Sequence, residues 1–230
     1  MRAPLSIVIP TLNSEAGLPD TLASLMEGVA QGIIREVIVS DGGSFDRTLE
    51  IARDVGAEIV SGPASRGGQL RRGANAANGE WFLFLHSDTK LAAGWVKAVS
   101  SFAARPDQAG YGKLKFAQGG IKAGLIARGA NLRSSLMGLP YGDQSLLISK
   151  ALYEEIGGYR DQPLMEDVAI ARALRGRLKP AGCDVETSAE RYERDGYTRR
   201  VLRNWITLTR YLLGASPETL AKGYSATSSS

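Results

Sequence analysis

Three groups of polar residues stand directly after short apolar runs in the first hundred residues of this 230-residue chain. In chain order they are Thr11 and Asn13; Asp41, Gly42 and Gly43; and His86, Ser87 and Asp88. If the apolar runs are parallel strands, their carboxyl ends meet at one edge of a sheet, where open α/β sheets bind ligands. The same residue types also form turns and helix caps. Three groups in succession favour a binding crevice over three independent turns.

Asp88 ends a very hydrophobic run at residues 81–85. A carboxylate in that position suits Mg²⁺ or Mn²⁺, which bridge the phosphates of a nucleotide. Such a cation neutralises the charge that builds on a departing diphosphate. His86 is the only histidine, and it either ligates the metal or orients Asp88. One histidine alone does not make a zinc site.

Glu166 and Asp167 open a helical pattern. Acids in a first turn stabilise the helix dipole, which is one interpretation of the pair. The other is a general base that takes a proton from an attacking hydroxyl. Because neighbouring helical residues point in different directions, one acid can be the base while the other orients its surroundings.

A glycine-containing segment, residues 66–72, precedes and opens another helical pattern. Glycines allow a backbone to approach a ligand, and a helix N-terminus favours phosphate. Arg66 adds charge, and Gln69 lies on the first turn. This signal is weak by itself. The chain lacks a Gly-x-x-x-x-Gly-Lys-Ser/Thr loop, a Gly-x-Gly-x-x-Gly after its first strand and a Gly-x-Ser-x-Gly elbow, which argues against P-loop enzymes, dinucleotide dehydrogenases and serine hydrolases.

Apolar runs alternate with helical patterns in the first half, which predicts an α/β fold with a mostly parallel sheet covered on both faces. The predicted strands are 5–10, 36–40, 57–61, 81–85, 111–116 and 145–149, and the predicted helices are 18–27, 47–55, 69–77, 121–137, 164–175 and 199–213.

The composition, 43% hydrophobic and 23% charged, is that of an ordinary globular protein. The net charge of +4 is small, and no dense basic face interleaved with aromatics indicates nucleic-acid binding. Cys183, the single cysteine, rules out an intrachain disulfide and fits a reducing cytoplasm. No apolar stretch reaches the 18 residues of a membrane span, and the start lacks a signal-peptide layout. We therefore expect a cytoplasmic protein.

Four motifs in order resemble those of family-2 glycosyltransferases with the GT-A (Rossmann-like) fold. They are Val8-Ile9-Pro10-Thr11-Leu12-Asn13, Val39-Ser40-Asp41-Gly42-Gly43-Ser44, Leu85-His86-Ser87-Asp88 and Glu166-Asp167. The resemblance covers about residues 4–215. It implies an inverting enzyme that moves one sugar from a nucleotide diphosphate donor, preferably a UDP-sugar, to a hydroxyl acceptor.

The resemblance also implies roles for particular residues. The nucleoside and diphosphate would contact Pro10, Thr11, Asn13, Glu15, Asp41, Gly42, Gly43, Arg66 and Gln69, with Asp41 reading the base edge. Asp88, with His86, would bind Mn²⁺ or Mg²⁺. Asp167 would be the base and Glu166 its companion. The donor sugar or acceptor would lie near Ser87, Gly142, Asp143 and Gln144.

Two departures from the family pattern affect these expectations. The usual Asp-x-Asp is His86-Ser87-Asp88, so the first acid on the metal side is missing. The Gln-x-x-Arg-Trp motif of processive synthases is absent, which favours a single transfer. The motif variants, with residues 142–144 and 213–217, are closest to a bacterial subgroup, the selenodomain-associated or arsenosugar-biosynthesis type.

Two other functions stay open at this point. One is a nucleotidyltransferase, although Pro10-Thr11-Leu12-Asn13 occupies the place of its glycine-rich loop. The other is a nucleotide-sugar-binding protein that has lost catalysis, which the altered His86-Ser87-Asp88 keeps in play. The predicted organisation is one GT-A domain, 1–225, with a nucleotide-binding half at 1–108, an acceptor-binding half at 109–197, a C-terminal amphipathic helix at 198–215 and a disordered tail at 226–230.

The C-terminal helix combines arginines with apolar residues, among them Leu202, Trp205 and Ile206. A basic amphipathic helix of this kind can lie on anionic lipid at the inner face of a membrane. An apolar stripe also packs on its own domain or on a homodimer partner. The sequence leaves these interpretations open.

Overall fold

The computed structural model describes residues 3–116, 120–187 and 196–226, with only the backbone for 197–199 and 223–226. The strands are β1 (Leu5–Thr11), β2 (Ile34–Asp41), β3 (Glu58–Ser61), β4 (Trp81–Phe84), β5 (Thr89–Leu91), β6 (Ala109–Phe116), β7 (Leu146–Ser149) and β8 (Leu178–Thr187). The helices are α1 (Leu18–Ser24), α2 (Met26–Ala30), α3 (Thr48–Asp54), α4 (Arg66–Ala76), α5 (Trp95–Phe102), α6 (Gly120–Met137), α7 (Lys150–Glu155), α8 (Glu166–Ala173), α9 (Tyr197–Leu212) and α10 (Pro217–Ala226).

The strands form one eight-stranded sheet in the order β3-β2-β1-β4-β7-β6-β8-β5. The four strands from β3 to β4 are parallel neighbours, β7 pairs antiparallel with both β4 and β6, and β6 runs parallel to β8. Helices pack against the sheet. The predicted α/β class with a mostly parallel sheet is confirmed.

Strand β1 shows why the sheet is covered on both faces. Ile7, Val8 and Ile9 are all buried, since β-branched side chains suit a pleated surface buried on each side. Successive side chains point to opposite faces of a strand. Ile7 and Ile9 accordingly join a core with α1 and α5, whereas Val8 joins a second core with α4 and α8. This double burial holds the polar end of β1 at the sheet edge.

Some predicted boundaries differ from the structure. The segment 18–27 divides into α1 and α2, the helix predicted from residue 69 begins at Arg66, and the helix predicted from 164 begins at Glu166. Strand β5, helices α5 and α7, strand β8 and helix α10 were not predicted. Strand β8 contains Pro180 and Gly182, residues that argue against a strand when the sequence is considered alone.

A third apolar cluster attaches the C-terminal helices to the rest of the domain. Met165 and Val168 pack with Leu208 of α9 and Leu220 of α10.

The predicted 1–108 and 109–197 halves share one sheet, and their division stays a prediction. Ala226 ends α10, whereas the tail was predicted to begin there, and 227–230 lie outside the described residues. Cys183 is a free, buried cysteine. Within the described ranges, every helix is too short or too polar to cross a membrane.

Candidate active site

A cleft opens beyond the carboxyl ends of β1 and β4 and has two adjoining lobes. The first, which we call the β1 lobe, is formed by the ends of these strands and the start of α4. Its lining residues are Pro10, Thr11, Leu12, Ser14, Ala64, Ser65, Arg66, Gln69, His86, Ser87, Asp88 and Pro163. Of the residues predicted to hold a nucleotide, Pro10, Thr11, Arg66 and Gln69 therefore line this lobe.

The second, which we call the α8 lobe, lies between the start of α8, the turn at 142–144 and α9. Its lining residues are Arg66, His86, Asp88, Tyr141, Gly142, Asp143, Leu164, Met165, Glu166, Asp167, Thr187, Arg200 and Asn204. Arg66, His86 and Asp88 line both lobes. The structure thus brings the residues after β4 and the acids of α8, almost eighty positions apart in the chain, to one cleft.

The loops that follow β1 and β2 interlock. Asn13 accepts a hydrogen bond from the Phe45 amide on Oδ1, at 3.0 Å, and donates its own amide to Ser44 Oγ, at 2.8 Å. Glu15 Oε2 accepts the Arg47 amide at 3.0 Å. Asn13 has φ +49°, a left-handed conformation that asparagine tolerates better than most residues. Asn13 and Glu15 position the second loop and do not line either lobe; their nucleoside contacts stay a prediction.

Asp41 is buried and accepts hydrogen bonds on both carboxylate oxygens. Oδ1 accepts the hydroxyls of Thr11, at 3.0 Å, and Ser44, at 2.6 Å, while Oδ2 accepts the amides of Gly43 and Ser44, both at 2.8 Å. Burial by itself raises the pKa of Asp41, but these hydrogen bonds outweigh burial and lower the pKa below its usual range. Gly43 has φ +98°, which the tight turn requires. The carboxylate stabilises the turn. To contact the edge of a nucleotide base, Asp41 would have to give up one of these hydrogen bonds.

The glycines at the start of α4 suggest a phosphate-binding backbone, but packing against another loop of the protein accounts for Gly67. A side chain at Gly67 would lie 2.0 Å from the Arg160 carbonyl, so glycine is required there by the crossing loop at 160–162. The Gly67 amide donates to the Gln162 carbonyl at 3.1 Å, and the Gly68 amide donates to Ser65 Oγ. These two amides are engaged within the protein, so the segment does not present them to a phosphate.

Gln69 sits beneath the β1 lobe and joins the ends of two strands. Its side-chain amide donates to the Thr11 carbonyl at 2.7 Å and to the Ser40 carbonyl at 3.0 Å. A side chain on Gly42 would lie 3.1 Å from the Gln69 amide group. Gly42 therefore packs closely against Gln69, which lines the lobe, while Gly42 itself does not.

The residues after β4 are held from both sides. Ser87 Oγ donates to Ser14 Oγ at 2.9 Å, and the Thr187 hydroxyl donates to the Asp88 carbonyl at 3.4 Å. A side chain at Gly17 would lie 2.8 Å from the Ser87 carbonyl. Asp88 is half-buried and borders both lobes.

Gly142 connects His86 to Asp167. The His86 ring packs against Gly142 so closely that an added Cβ would lie 2.4 Å from Nε2. The Gly142 amide donates to Asp167 Oδ2 at 3.1 Å. Gln144, by contrast, is fully buried and donates to the Gly112 carbonyl at 3.1 Å. Of the predicted triplet 142–144, the first two residues line the α8 lobe and Gln144 supports the turn from below.

Replacing Gly142 with alanine should push the His86 ring out of its position, because the methyl group needs the space that Nε2 occupies. If the cleft binds a nucleotide with Mn²⁺, as the family resemblance implies, we expect that binding to be roughly tenfold weaker, the size of effect seen when a group supporting a metal ligand is lost. Isothermal titration with UDP and Mn²⁺ measures it. Gly124→Ala, on α6 with no atom within 4 Å of the new methyl, is the matched control. Equal affinity in both variants would contradict the role of this contact.

The two acids of α8 have different surroundings. Glu166 is 2% exposed, and its Oε1 lies 3.9 Å from Arg66 Nη1. Its Oε2 has no hydrogen-bond partner in the described part of the chain. Burial, followed by the charge of Asp167, raises the pKa of Glu166 to about 7. Asp167 is half-buried, and its Oδ1 accepts the Val168 amide at 2.7 Å. Asp167 is therefore the more accessible carboxylate.

Asp143 is a fourth acid in the α8 lobe, beside Asp88, Glu166 and Asp167. Burial raises its pKa to about 6, since the opposing charge of Arg133 only partly offsets desolvation and the like charges of Asp167 and Asp88 add to it. Its Oδ1 is buried without a hydrogen-bond partner among the described residues. Clusters of shifted carboxyl groups in a cleft are typical of functional sites.

Glu166→Gln should stabilise the protein at pH 8 but much less at pH 5. The ordinary pKa of a glutamate is 4.5 and that of folded Glu166 is about 7, so the unfolded chain loses its proton first. The stability that neutral Glu166 provides is full below pH 4.5 and is lost as the pH rises through 7. The gain at pH 8 is on the order of 3 kcal/mol at most.

Thermal unfolding of wild type and Glu166→Gln at both pH values measures this difference. Glu154→Gln, an exposed glutamate on α7, is the control and should show no such pH dependence. A stability difference that is the same at pH 5 and pH 8 would be inconsistent with buried, uncharged Glu166.

The residues of the α8 lobe could hold a divalent cation only together with other ligands, such as the oxygens of a diphosphate. Among residues 3–116, 120–187 and 196–226, no three histidine, cysteine or acidic side chains form a complete metal cluster. Mg²⁺ and Mn²⁺ bound to nucleotides commonly take one or two protein carboxylates and complete their shell with phosphates and water. Asp88 and His86 border both lobes and could supply the protein ligands. The unpartnered Asp143 oxygen adds negative potential nearby.

Several lining residues were not recognised in the sequence. Tyr141 stacks under the Arg133 guanidinium, whose carbon lies 3.4 Å from the ring centre. Thr187 ends β8, a strand that was missed. Arg200 and Asn204 enter the lobe from α9, whose arginines were noted only as a basic cluster. Their spacing of four residues places them on one face of the helix, which was an available signal.

Comparison with known proteins supports the family that the sequence motifs resemble. The model of glycosyl transferase family 2 matches residues 6–126, more than half of the chain. A PGL/p-HBAD biosynthesis glycosyltransferase of Mycobacterium tuberculosis is 37% identical over 99 residues, 40% of this chain and 38% of its own. Glucosyl-3-phosphoglycerate synthase of the same species is 28% identical over 193 residues, 74% of this chain and 54% of its own.

Among solved structures, S. aureus TarS 1-349 superposes with a TM-score of 0.65 at 19% identity, over 81% of this chain and 60% of TarS. This likeness shows the GT-A fold. The chain matches less than two thirds of the length of each of these proteins. The family match covers β1, β2 and β4 with the polar residues that follow them, and the chain belongs to glycosyl transferase family 2.

Proposed function

We propose that this protein transfers one sugar from a nucleoside diphosphate sugar, with UDP as the first nucleotide to test, to a hydroxyl acceptor with inversion at the anomeric carbon. The observation that carries the proposal is the arrangement of charge in the cleft. Arg66 and Asp88 border both lobes, whereas Asp167 opens onto the α8 lobe alone. A diphosphate at the junction would place its sugar beside Asp167.

The β1 lobe would take the nucleoside diphosphate. Ligands of open α/β sheets bind at the carboxyl ends of the strands, where Thr11 and Pro10 lie. TarS has been crystallised with UDP, and it shares this fold, which makes UDP the reasonable first ligand. The α8 lobe would take the sugar and the acceptor.

The transfer would be a single in-line displacement. The acceptor oxygen forms a bond to the anomeric carbon as the bond from that carbon to the diphosphate oxygen breaks, and its electron pair leaves with the nucleoside diphosphate. Asp167 takes the proton of the acceptor hydroxyl. Because it is half-buried and its carboxylate accepts the Gly142 and Val168 amides, it is oriented and accessible. Arg66 offers positive charge to the leaving group.

Asp88 would hold a divalent cation together with the diphosphate, and His86 is its second candidate ligand. A cation bound there supplies charge neutralisation for the leaving diphosphate. His86 stands where an acid is usual, so the protein itself would contribute one negative charge fewer. Arg66, which lines both lobes, would add its own positive charge beside the diphosphate.

We also infer membership of the selenodomain-associated or arsenosugar-biosynthesis subgroup, a cytoplasmic location and a single GT-A domain. The subgroup inference rests on the sequence variants His86-Ser87-Asp88, Gly142-Asp143-Gln144 and residues 213–217. The missing Gln-x-x-Arg-Trp motif favours transfer of a single sugar over polymer synthesis.

A thermal-shift panel of nucleoside diphosphates and nucleotide sugars, each with Mn²⁺, Mg²⁺ or chelator, tests the donor site. A ligand that binds only the folded state raises the free energy of unfolding, by about 2.7 kcal/mol at a hundredfold excess over Kd, and so raises the melting temperature. We expect a rise with UDP that needs the metal, followed by slow release of UDP from the matching UDP-sugar. No shift with any nucleotide would overturn the proposal, and a shift without UDP release would indicate a binding protein.

A further inference from the structure

Helix α9 has two different faces. Asn204 and Leu208 point inward, the first to the α8 lobe and the second to the third apolar cluster. Leu202, Trp205 and Ile206 are exposed on the other side, with side chains 47–62% accessible. These residues recur every three or four positions, the spacing of one helix face. The outer face of α9 is therefore an exposed apolar stripe.

Helix α6 repeats this arrangement beside α9. Ile121, Leu125, Leu132 and Leu136 are spaced by four or seven residues and are 58–85% exposed, whereas Ala123, Ala127 and Ser134 are buried underneath. The two helices contact each other. The sequence indicated a stripe on α9 alone, and the tertiary structure adds a second one next to it. We call the two stripes together the α6–α9 face.

The charge of these two helices has one sign. The chain as a whole has 28 basic and 24 acidic residues, yet α6 and α9 contain seven basic residues and no acidic one. Arg203 and Arg210 are seven positions apart and lie along one edge of the α9 stripe. An apolar stripe bordered by arginines, with a tryptophan in it, is the pattern of a helix that lies in the surface of a membrane.

We propose that the α6–α9 face docks on an anionic lipid surface. The positive charge without any acid complements anionic headgroups, and the apolar side chains provide the area that enters the acyl boundary. A second copy of this chain fits less well, because a symmetric interface would bring together two faces whose charged borders, with Arg203 and Arg210 of each copy, are basic. The docked face would be one helix away from the α8 lobe, which Arg200 and Asn204 of α9 line.

This docking concerns binding and does not depend on the proposed transfer. Cosedimentation of the full chain with vesicles of phosphatidylglycerol and phosphatidylcholine, compared with phosphatidylcholine alone, tests it without any sugar. Trp205 provides a local signal, since Trp81 and Trp95 are buried. We expect pelleting that depends on phosphatidylglycerol and is weakened by salt, with a blue shift of tryptophan emission. The Trp205→Phe variant should still pellet and lose the shift.

Two double variants remove the apolar contacts, one on each helix: Leu202→Ser with Ile206→Ser, and Leu132→Ser with Leu136→Ser. Each should lower the vesicle partition coefficient by about tenfold or more. The control pair, Met26→Ser with Val55→Ser, removes equally exposed apolar side chains from α2 and from the end of α3. Arg210→Glu should also weaken binding, whereas Arg53→Glu on α3 should not.

Cooperative thermal unfolding of each variant without vesicles or nucleotide shows that it is folded, and the UDP-induced thermal shift is measured separately for the donor site. Wild type that binds UDP but does not pellet with anionic vesicles overturns the docking and leaves the proposed function standing. Pelleting that is equal with both vesicle types, or that survives both double variants, also overturns it. So does a lipid-free dimer that both double variants convert to monomer.

Discussion

Asp167→Asn is expected to lower the rate of sugar transfer about a hundred- to ten-thousandfold, the contribution of a positioned general base. The substitution keeps the size of the side chain and removes the acceptor of the hydroxyl proton. Since asparagine has one acceptor oxygen, it also keeps only one of the two hydrogen bonds that the carboxylate accepts from the Gly142 and Val168 amides. UDP release from the UDP-sugar identified by the thermal-shift panel, measured against UDP-sugar concentration, gives kcat and KM. The loss should lie in kcat, with the UDP-induced thermal shift retained.

Glu166→Gln and Asp143→Asn distinguish this role from a general effect of charge in the α8 lobe. Both acids line the same lobe, but Glu166 is buried and Asp143 does not contact the Gly142 amide that orients Asp167, so each should cost less than Asp167→Asn. Asp20→Asn, an exposed acid paired with Lys90, serves as the control with unchanged turnover. If Glu166→Gln causes the larger loss, Glu166 is the base; wild-type turnover in Asp167→Asn would refute the mechanism.

Asp88→Asn is expected to lower kcat/KM at least about a hundredfold, or about 3 kcal/mol of transition-state stabilisation. Asp88 borders both lobes and is the one acid among the residues that do so. Its loss should weaken both donor binding and departure of the diphosphate. The affected quantity is therefore the metal-dependent part of the UDP-induced thermal shift as well as the rate.

A titration of Mn²⁺ at fixed UDP separates Asp88 from His86. Asp88→Asn should remove the metal dependence, whereas His86→Asn should move the half-saturating Mn²⁺ concentration if His86 is a ligand and leave it unchanged if His86 only orients Asp88. Metal-dependent UDP binding that persists in Asp88→Asn would show that the cation lies elsewhere.

The placement of the first-half residues could be predicted from local pattern. The run ending at Pro10 and Thr11 and the run before His86 are continuously apolar because β1 and β4 are buried on both faces. Parallel order then brings their carboxyl ends to one edge. Thr11, His86 and Asp88 accordingly line one cleft. The local signal is strong because both faces of these strands need apolar residues.

The second half was predicted less completely because its elements depend on partners far away in sequence. Strand β8 contains Pro180 and Gly182, whose φ is +86°, and it forms only because β6 and β5 pair with it. Helix α5 opens after Gly94, another left-handed residue, and buries Trp95 in the sheet core. Residues that lower intrinsic strand or helix propensity hide such elements until tertiary pairing compensates.

By itself, the sequence determined the α/β class, the strand ends and the candidate acids, since strand periodicity and turn chemistry act between near neighbours. Only the tertiary structure decided how those residues are used. It showed Asp41 saturated by its own turn, Gly67 required by a crossing loop, and Gly142 joining His86 to Asp167. It also set the outer face of α6 beside that of α9. Apart from the local turn at Asp41, these contacts join residues tens of positions apart, and their geometry follows from sheet register and loop path, which no local spacing encodes.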